Sequence, residues 1–177
     1  MKTSILALVV VLAGCASTMD AMTPSASVIK DDFDGTIIVR QPLVNAASSL
    51  SEPFHTLGFE WYQRTPDAVF VTAGFATGVR SIQAVAFNAD GKVIQGLKPA
   101  SVLTDFDRAG GLASSSRRFE MRLDDFVVIA TADVVKMRVE GINDYTVSSF
   151  GPGAGIAVVN MKFAPFLEQV RARLLPR

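Results

Sequence analysis

The sequence predicts a mainly β protein: an antiparallel β-sandwich with a short helix near residues 124–131 and a C-terminal helix near residues 165–174. Three observations carry that prediction. Apolar and polar residues alternate with a period of two in one segment after another. Turn-forming residues fall between those segments, and only two stretches suit a helix better than a strand. Composition agrees with a folded core, since 49% of the 177 residues are hydrophobic, 19% are charged and 8 are prolines. A chain of this length suits one domain with a sizeable core of its own.

The elements follow in order. Residues 16–29, rich in Ala, Ser, Thr and Met, show no sustained period and read as a tether, with the domain itself taken as residues 33–177. Leu57, Phe59 and Trp61 alternate with Gly58, Glu60 and Tyr62, the pattern of a half-buried strand. Val69, Val71, Ala73 and Phe75 alternate with Phe70, Thr72 and Gly74. Val85 and Phe87 lead into Asn88-Ala89-Asp90-Gly91, which has the chemistry of a tight turn, so residues 81–97 read as a hairpin.

Residues 107–116, with Gly110-Gly111 and three consecutive serines, read as an irregular, mobile loop. Phe119, Met121 and Leu123 alternate with Arg118, Glu120 and Arg122, and Val135, Met137 and Val139 alternate with Lys136, Arg138 and Glu140. Between these two strands, Asp124-Asp125 followed by Phe126, Ile129 and Ala130 suits a short helix with acids at its positive end. Residues 145–150 and 156–163 read as further strands joined by glycine-rich residues 151–155. Phe166, Val170 and Leu174 then share a helical face, with Pro165 placed in the first turn and Arg171 and Arg173 near the negative end.

The amino-terminal residues carry an address. After the basic opening Met1-Lys2-Thr3-Ser4 comes a nine-residue apolar run, residues 5–13. As a helix it would span about 14 Å, roughly half the hydrocarbon thickness of a bilayer, which suits a signal-peptide core and not a membrane span. Leu12-Ala13-Gly14-Cys15 follows and resembles the lipobox of bacterial lipoproteins at all four positions. The resemblance implies a signal peptide at residues 1–14, cleavage between Gly14 and Cys15, and a Cys15 carrying diacylglycerol with an acyl chain such as palmitate on its amino terminus. Residues 15–32 would then be the lipidated cysteine and a flexible tether. More than one acyl chain gives stable membrane residence, at about 0.8 kcal/mol per buried methylene. Alanine at position 16, where Gram-negative inner-membrane lipoproteins carry aspartate, implies the outer membrane and a domain facing the periplasm.

No pattern in the rest of the chain assembles a catalytic centre. His55 is the only histidine and lies in the turn-like run Ser51-Glu52-Pro53-Phe54-His55. It reads as a surface or turn residue, because no Gly-x-Ser-x-Gly elbow accompanies it. Asp31-Asp32-Phe33-Asp34-Gly35 lacks the alternating carboxylates and terminal glutamate of a calcium loop, and reads as solvated acids before a turn. Asp105 and Asp107 read as turn residues, and Gly151-Pro152-Gly153-Ala154-Gly155 as a flexible hairpin connection rather than a phosphate cradle. No metal or cofactor is expected. The balance of 17 basic and 17 acidic residues argues against nucleic acid as a partner.

Trp61 and Tyr62 put large aromatics on the two faces of one strand. Trp61 belongs with the core, and Tyr62 is the candidate anchor for a protein partner, since aromatics carry much of the energy of interfaces. The expectation is a non-enzymatic, lipid-anchored module of the cell envelope that binds a protein partner or supports an assembly there. Two alternatives stand beside it: a lipid or small-ligand carrier with a cavity between its sheets, and an envelope hydrolase built around His55.

Overall fold

A computed structural model describes residues 23–109, 112–155 and 157–174. The expected leader, its expected cleavage site at Gly14 and the expected lipidation site at Cys15 lie outside the described residues. The chain forms strands β1 (Ser27–Lys30), β2 (Ile37–Asn45), β3 (His55–Tyr62), β4 (Ala68–Phe75), β5 (Ala84–Ala89), β6 (Lys92–Ile94), β7 (Lys98–Pro99), β8 (Asp105–Ala109) and β9 (Leu112–Arg122). Helix α1 (Leu123–Thr131), strands β10 (Val135–Glu140) and β11 (Tyr145–Phe150) and helix α2 (Asn160–Leu174) complete it. The fold is mainly β with two antiparallel sheets, as a β-sandwich requires.

The larger sheet runs β1-β2-β3-β4-β9, with β7 and β8 both pairing along the far side of β9. The smaller sheet runs β11-β10-β5-β6. Alternation explains which side of each strand is covered. Leu57, Phe59 and Trp61 on β3, Val69, Val71 and Ala73 on β4, and Phe119 and Met121 on β9 are all buried in one continuous core. Val85 and Phe87 on β5 and Val135, Met137 and Val139 on β10 supply its other wall. Trp61 keeps its indole N–H satisfied by donating to the Pro66 carbonyl at 2.9 Å.

The helices fill the space between the two inner faces. The Phe59 ring stacks on Phe163 of α2 at 4.9 Å and meets Phe126 of α1 edge-on at 4.9 Å. Phe163 in turn stacks on Phe150 of β11 at 5.9 Å, so one aromatic seam joins both sheets through both helices. Asp124 and Asp125 occupy the first turn of α1, as the sequence predicts. No helix among the described residues is long and apolar enough to cross a membrane.

Several local expectations are corrected. Residues 27–30, read as tether, form an edge strand on β2. The described residues from Asp107 to Ser116 are not an irregular loop: β8 and β9 pair from Asp105↔Ser116 to Ala109↔Leu112, and β9 carries the three serines on into the sheet, while Gly110-Gly111 lies outside the described residues. The apolar run before Pro165 is not a strand. Residues 157–162 close a series of tight backbone turns, with Asn160, Met161 and Lys162 donating to the carbonyls of Ala157, Val158 and Val159. Helix α2 therefore starts five residues earlier than expected and holds Pro165 inside it. The spacing of Phe163, Phe166, Leu167 and Val170, all buried, outweighs the one backbone bond that proline forfeits.

The hairpin of β5 and β6 is built as expected. Asp90 and Gly91 both have positive φ, 49° and 93°, the two-residue turn that matches the twist of paired strands. Asp90 has a second task, accepting the backbone N–H groups of Asp133 and Val134, which ties the hairpin to the start of β10.

Candidate functional site

His55 is not on the surface. It is the first residue of β3, fully buried, with its ring edge-on to Phe75 at 5.0 Å. Nδ1 lies 2.7 Å from Ser148 Oγ and Nε2 lies 2.8 Å from Thr146 Oγ1, both on β11 of the other sheet. Ser148 donates its own hydroxyl proton to the Ala46 carbonyl at 3.0 Å. That leaves Ser148 Oγ to accept from Nδ1–H and Thr146 to donate to Nε2, which assigns the tautomer. Burial lowers the His55 pKa to about 4, with nearby Arg80 acting in the same direction and Glu52 opposing them.

This arrangement corrects the surface reading and argues against the hydrolase alternative. A serine nucleophile must hand its proton to the histidine and must meet a substrate. Ser148 directs its proton to a backbone carbonyl and is fully buried. His55 is a neutral cross-link between the two sheets.

The other polar motifs are likewise engaged locally. Asp31 accepts from the Phe33 backbone N–H and Asp34 from that of Thr36, each at 2.8 Å, the geometry of side-chain turns. The bonds from Thr36, with Arg64 nearby, hold the Asp34 carboxyl below the usual aspartate value. Asp105 and Asp107 sit in β8, not in a turn. Residues 151–155 connect β11 to α2 and are not a hairpin: Gly151 donates to Asn160 Oδ1 and Gly153 to the Asp133 carbonyl. Among the described residues no three His, Cys, Asp or Glu side chains converge on a point where a metal could sit.

Tyr62 leads to a different kind of site, on the outer face of the larger sheet. Pairing places Glu60 of β3 beside Arg40 of β2 on one side and Phe70 of β4 on the other. The Glu60 carboxylate, 11% exposed in its side chain, receives both Arg40 and Arg118, the latter at 2.9 Å. Tyr62 donates its hydroxyl to Glu60 Oε2 and accepts from Arg118 Nη2, each at 3.0 Å. The Tyr62 and Phe70 rings meet edge-on at 5.5 Å. Arg118 lies over Phe70 at 4.3 Å and Tyr62 at 5.3 Å, and Arg64 approaches Tyr62 at 5.8 Å.

These groups line a half-open cleft of about 260 Å³ formed by Tyr62, Arg64, Thr65, Phe70, Ala100 and Arg118. Aromatic and cationic side chains line it together, with Arg118 lying over the Phe70 ring. Two arginines on one largely covered carboxylate lock this lining, so the cleft is preformed. Of these residues the sequence singles out Tyr62 alone. Alternation puts Glu60, Phe70 and Arg118 on outward positions too, but nothing in the sequence says that residues 60, 70 and 118 are neighbours.

A second cleft, about 310 Å³, opens at the His55 end and is lined in part by Phe75, Arg80, Asp144 and Thr146. Arg80 and Asp144 approach to 4.0 Å across it. It abuts Thr146, which donates to His55.

No protein-family model matches the chain, and neither the curated proteins nor the solved structures compared with it contain a match.

Proposed function

We propose that the protein is a lipid-anchored module of the bacterial envelope that binds a protein partner through the Tyr62 cleft. The lipobox supports the address: Cys15 carries the lipid, and the domain follows it on a short tether facing the periplasm. The observation that carries the binding role is the preformed cleft, in which two aromatic rings and two arginines meet on the outer face of a sheet. Tyr and Arg at a rigid, partly desolvated site are the residue types that dominate protein interfaces. A carrier role is less well supported, because the aromatic seam from Phe59 to Phe150 packs the space between the sheets that a carrier would leave open.

Two substitutions test the reading. Cys15→Ser should leave an unprocessed or released chain; an unchanged membrane fraction with normal processing would refute the anchor. Tyr62→Ala in the lipidated chain should remove a reproducible partner band from crosslinked envelopes, and its persistence at wild-type yield would refute the cleft as the binding site.

A further inference from the structure

The turn between β1 and β2 lies at the same end of the larger sheet as the cleft, and the two touch. Arg64, which lines the cleft, donates to Asp34 of that turn at 3.0 Å. The turn displays Phe33 with 98% of its surface exposed, inside the run Asp31-Asp32-Phe33-Asp34. Single exposed apolar residues are ordinary. This one is an aromatic flanked by acids, set beside a cleft lined by two aromatic rings and two arginines.

The charges match as well. Around the cleft, Arg40, Arg64 and Arg118 face Glu60 and Asp34, which leaves a surplus of one positive charge. On the turn, once Asp34 is committed to Arg64, Asp31 and Asp32 still outnumber Lys30. A knob and a hole on the same side of one molecule are exchanged by a two-fold axis passing midway between them, the geometry of a closed pair. Anchoring by lipid confines the copies to one surface and raises their effective concentration, so a contact smaller than a soluble dimer requires can be occupied.

We infer that the occupant of the Tyr62 cleft is a second copy of this chain, with Phe33 of each copy seated between Tyr62, Phe70 and Arg118 of the other. The inference rests on the proposed role of that cleft and names its partner.

The test uses two differently tagged full-length chains made together in a bacterial envelope, one carrying Phe33→Cys and the other Ala100→Cys, so that each mixed pair keeps one Phe33 facing one unaltered cleft. A mixed-tag disulfide can form only between copies. The control pairs Phe33→Cys with Val93→Cys, since Val93 is exposed on a strand of the other sheet. The expected yield of mixed dimer is at least ten-fold above that control, falling about ten-fold when Asp31 and Asp32 are both changed to Lys in the Phe33→Cys chain. Light scattering from the detergent-solubilised lipidated chain should report a dimer, and Phe33→Ala, a change at an exposed position, should weaken self-association ten-fold or more. A mixed yield no higher than the control, together with a monomer in detergent, overturns the inference. If Tyr62-dependent crosslinks to a different protein survive in those membranes, the binding role stands and only the identity of the partner falls.

Discussion

The first residue and the middle of strand β3 close the sandwich by opposite means. In the middle, Phe59 joins rings from α1, α2 and, through Phe163, β11 in a seam without polar atoms. At its first residue, His55 reaches β11 through two hydrogen bonds and no ring stacking across the sheets. The aromatic seam is insensitive to protons and depends on volume. The histidine junction depends on a single protonation state and a fixed tautomer. Strength and directionality are thus separated along one strand.

The largest effect should come from the seam. Phe59→Ala removes a fully buried ring with three aromatic neighbours, and should destabilise the fold by about 3–5 kcal/mol in urea or guanidinium unfolding. A loss under 1 kcal/mol would mean that the helices do not pack against β3 as described.

The junction should give the next largest effect, and one that depends on pH. His55 has a folded pKa of about 4 against an ordinary 6.5, so between those values the unfolded chain binds the extra proton. Stability from this group is fully present above pH 6.5 and is lost as pH falls toward 4, by about 3 kcal/mol at most. Asp34 and Asp90 also have lowered pKa values, and their contributions fade from about pH 5 downward, so the histidine dominates the slope above that pH. His55→Leu should cost about 1–3 kcal/mol at pH 7, because Thr146 and Ser148 each lose a partner. It should also flatten the slope between pH 6.5 and 4, and an unchanged slope would assign the dependence to other groups.

The outer face should give the smallest change in stability. Tyr62→Ala leaves Glu60 paired with Arg40 and Arg118 and removes no core contact, so thermal or urea unfolding should shift by no more than about 1 kcal/mol. A shift of 3 kcal/mol would make Tyr62 a structural residue and undercut its proposed binding role.

How much of this was legible in the sequence follows from the range of the interactions. Period-two alternation identified β3, β4, β9 and β10, and assigned Trp61 to the core and Tyr62 to the opposite face, because those choices depend on neighbours along the chain. Asp90-Gly91 was legible for the same reason. His55 reads as a turn residue because Pro53 and the residues around it resemble a turn, whereas its burial depends on Thr146 and Ser148 about ninety positions away. The serines of β9 read as a loop because a serine-rich run looks irregular until β4 supplies its pairing, Phe75 against Ser115 and Gly74 against Ser116. Gly74 itself marks a close approach: a Cβ there would sit 2.6 Å from the Ser115 carbonyl oxygen. The cleft was the least legible feature, since Glu60, Phe70 and Arg118 meet only through the pairing of three strands.

The most direct test places a photoreactive phenylalanine analogue at position 62 in the cleft, or at position 93 on the other sheet, in the lipidated chain, and irradiates intact membranes. A discrete adduct from position 62, absent from position 93 and lost when Cys15→Ser releases the chain, is the predicted result. No adduct from position 62, or equal labelling from both positions, would contradict the claim that this is an anchored protein that binds through the Tyr62 cleft.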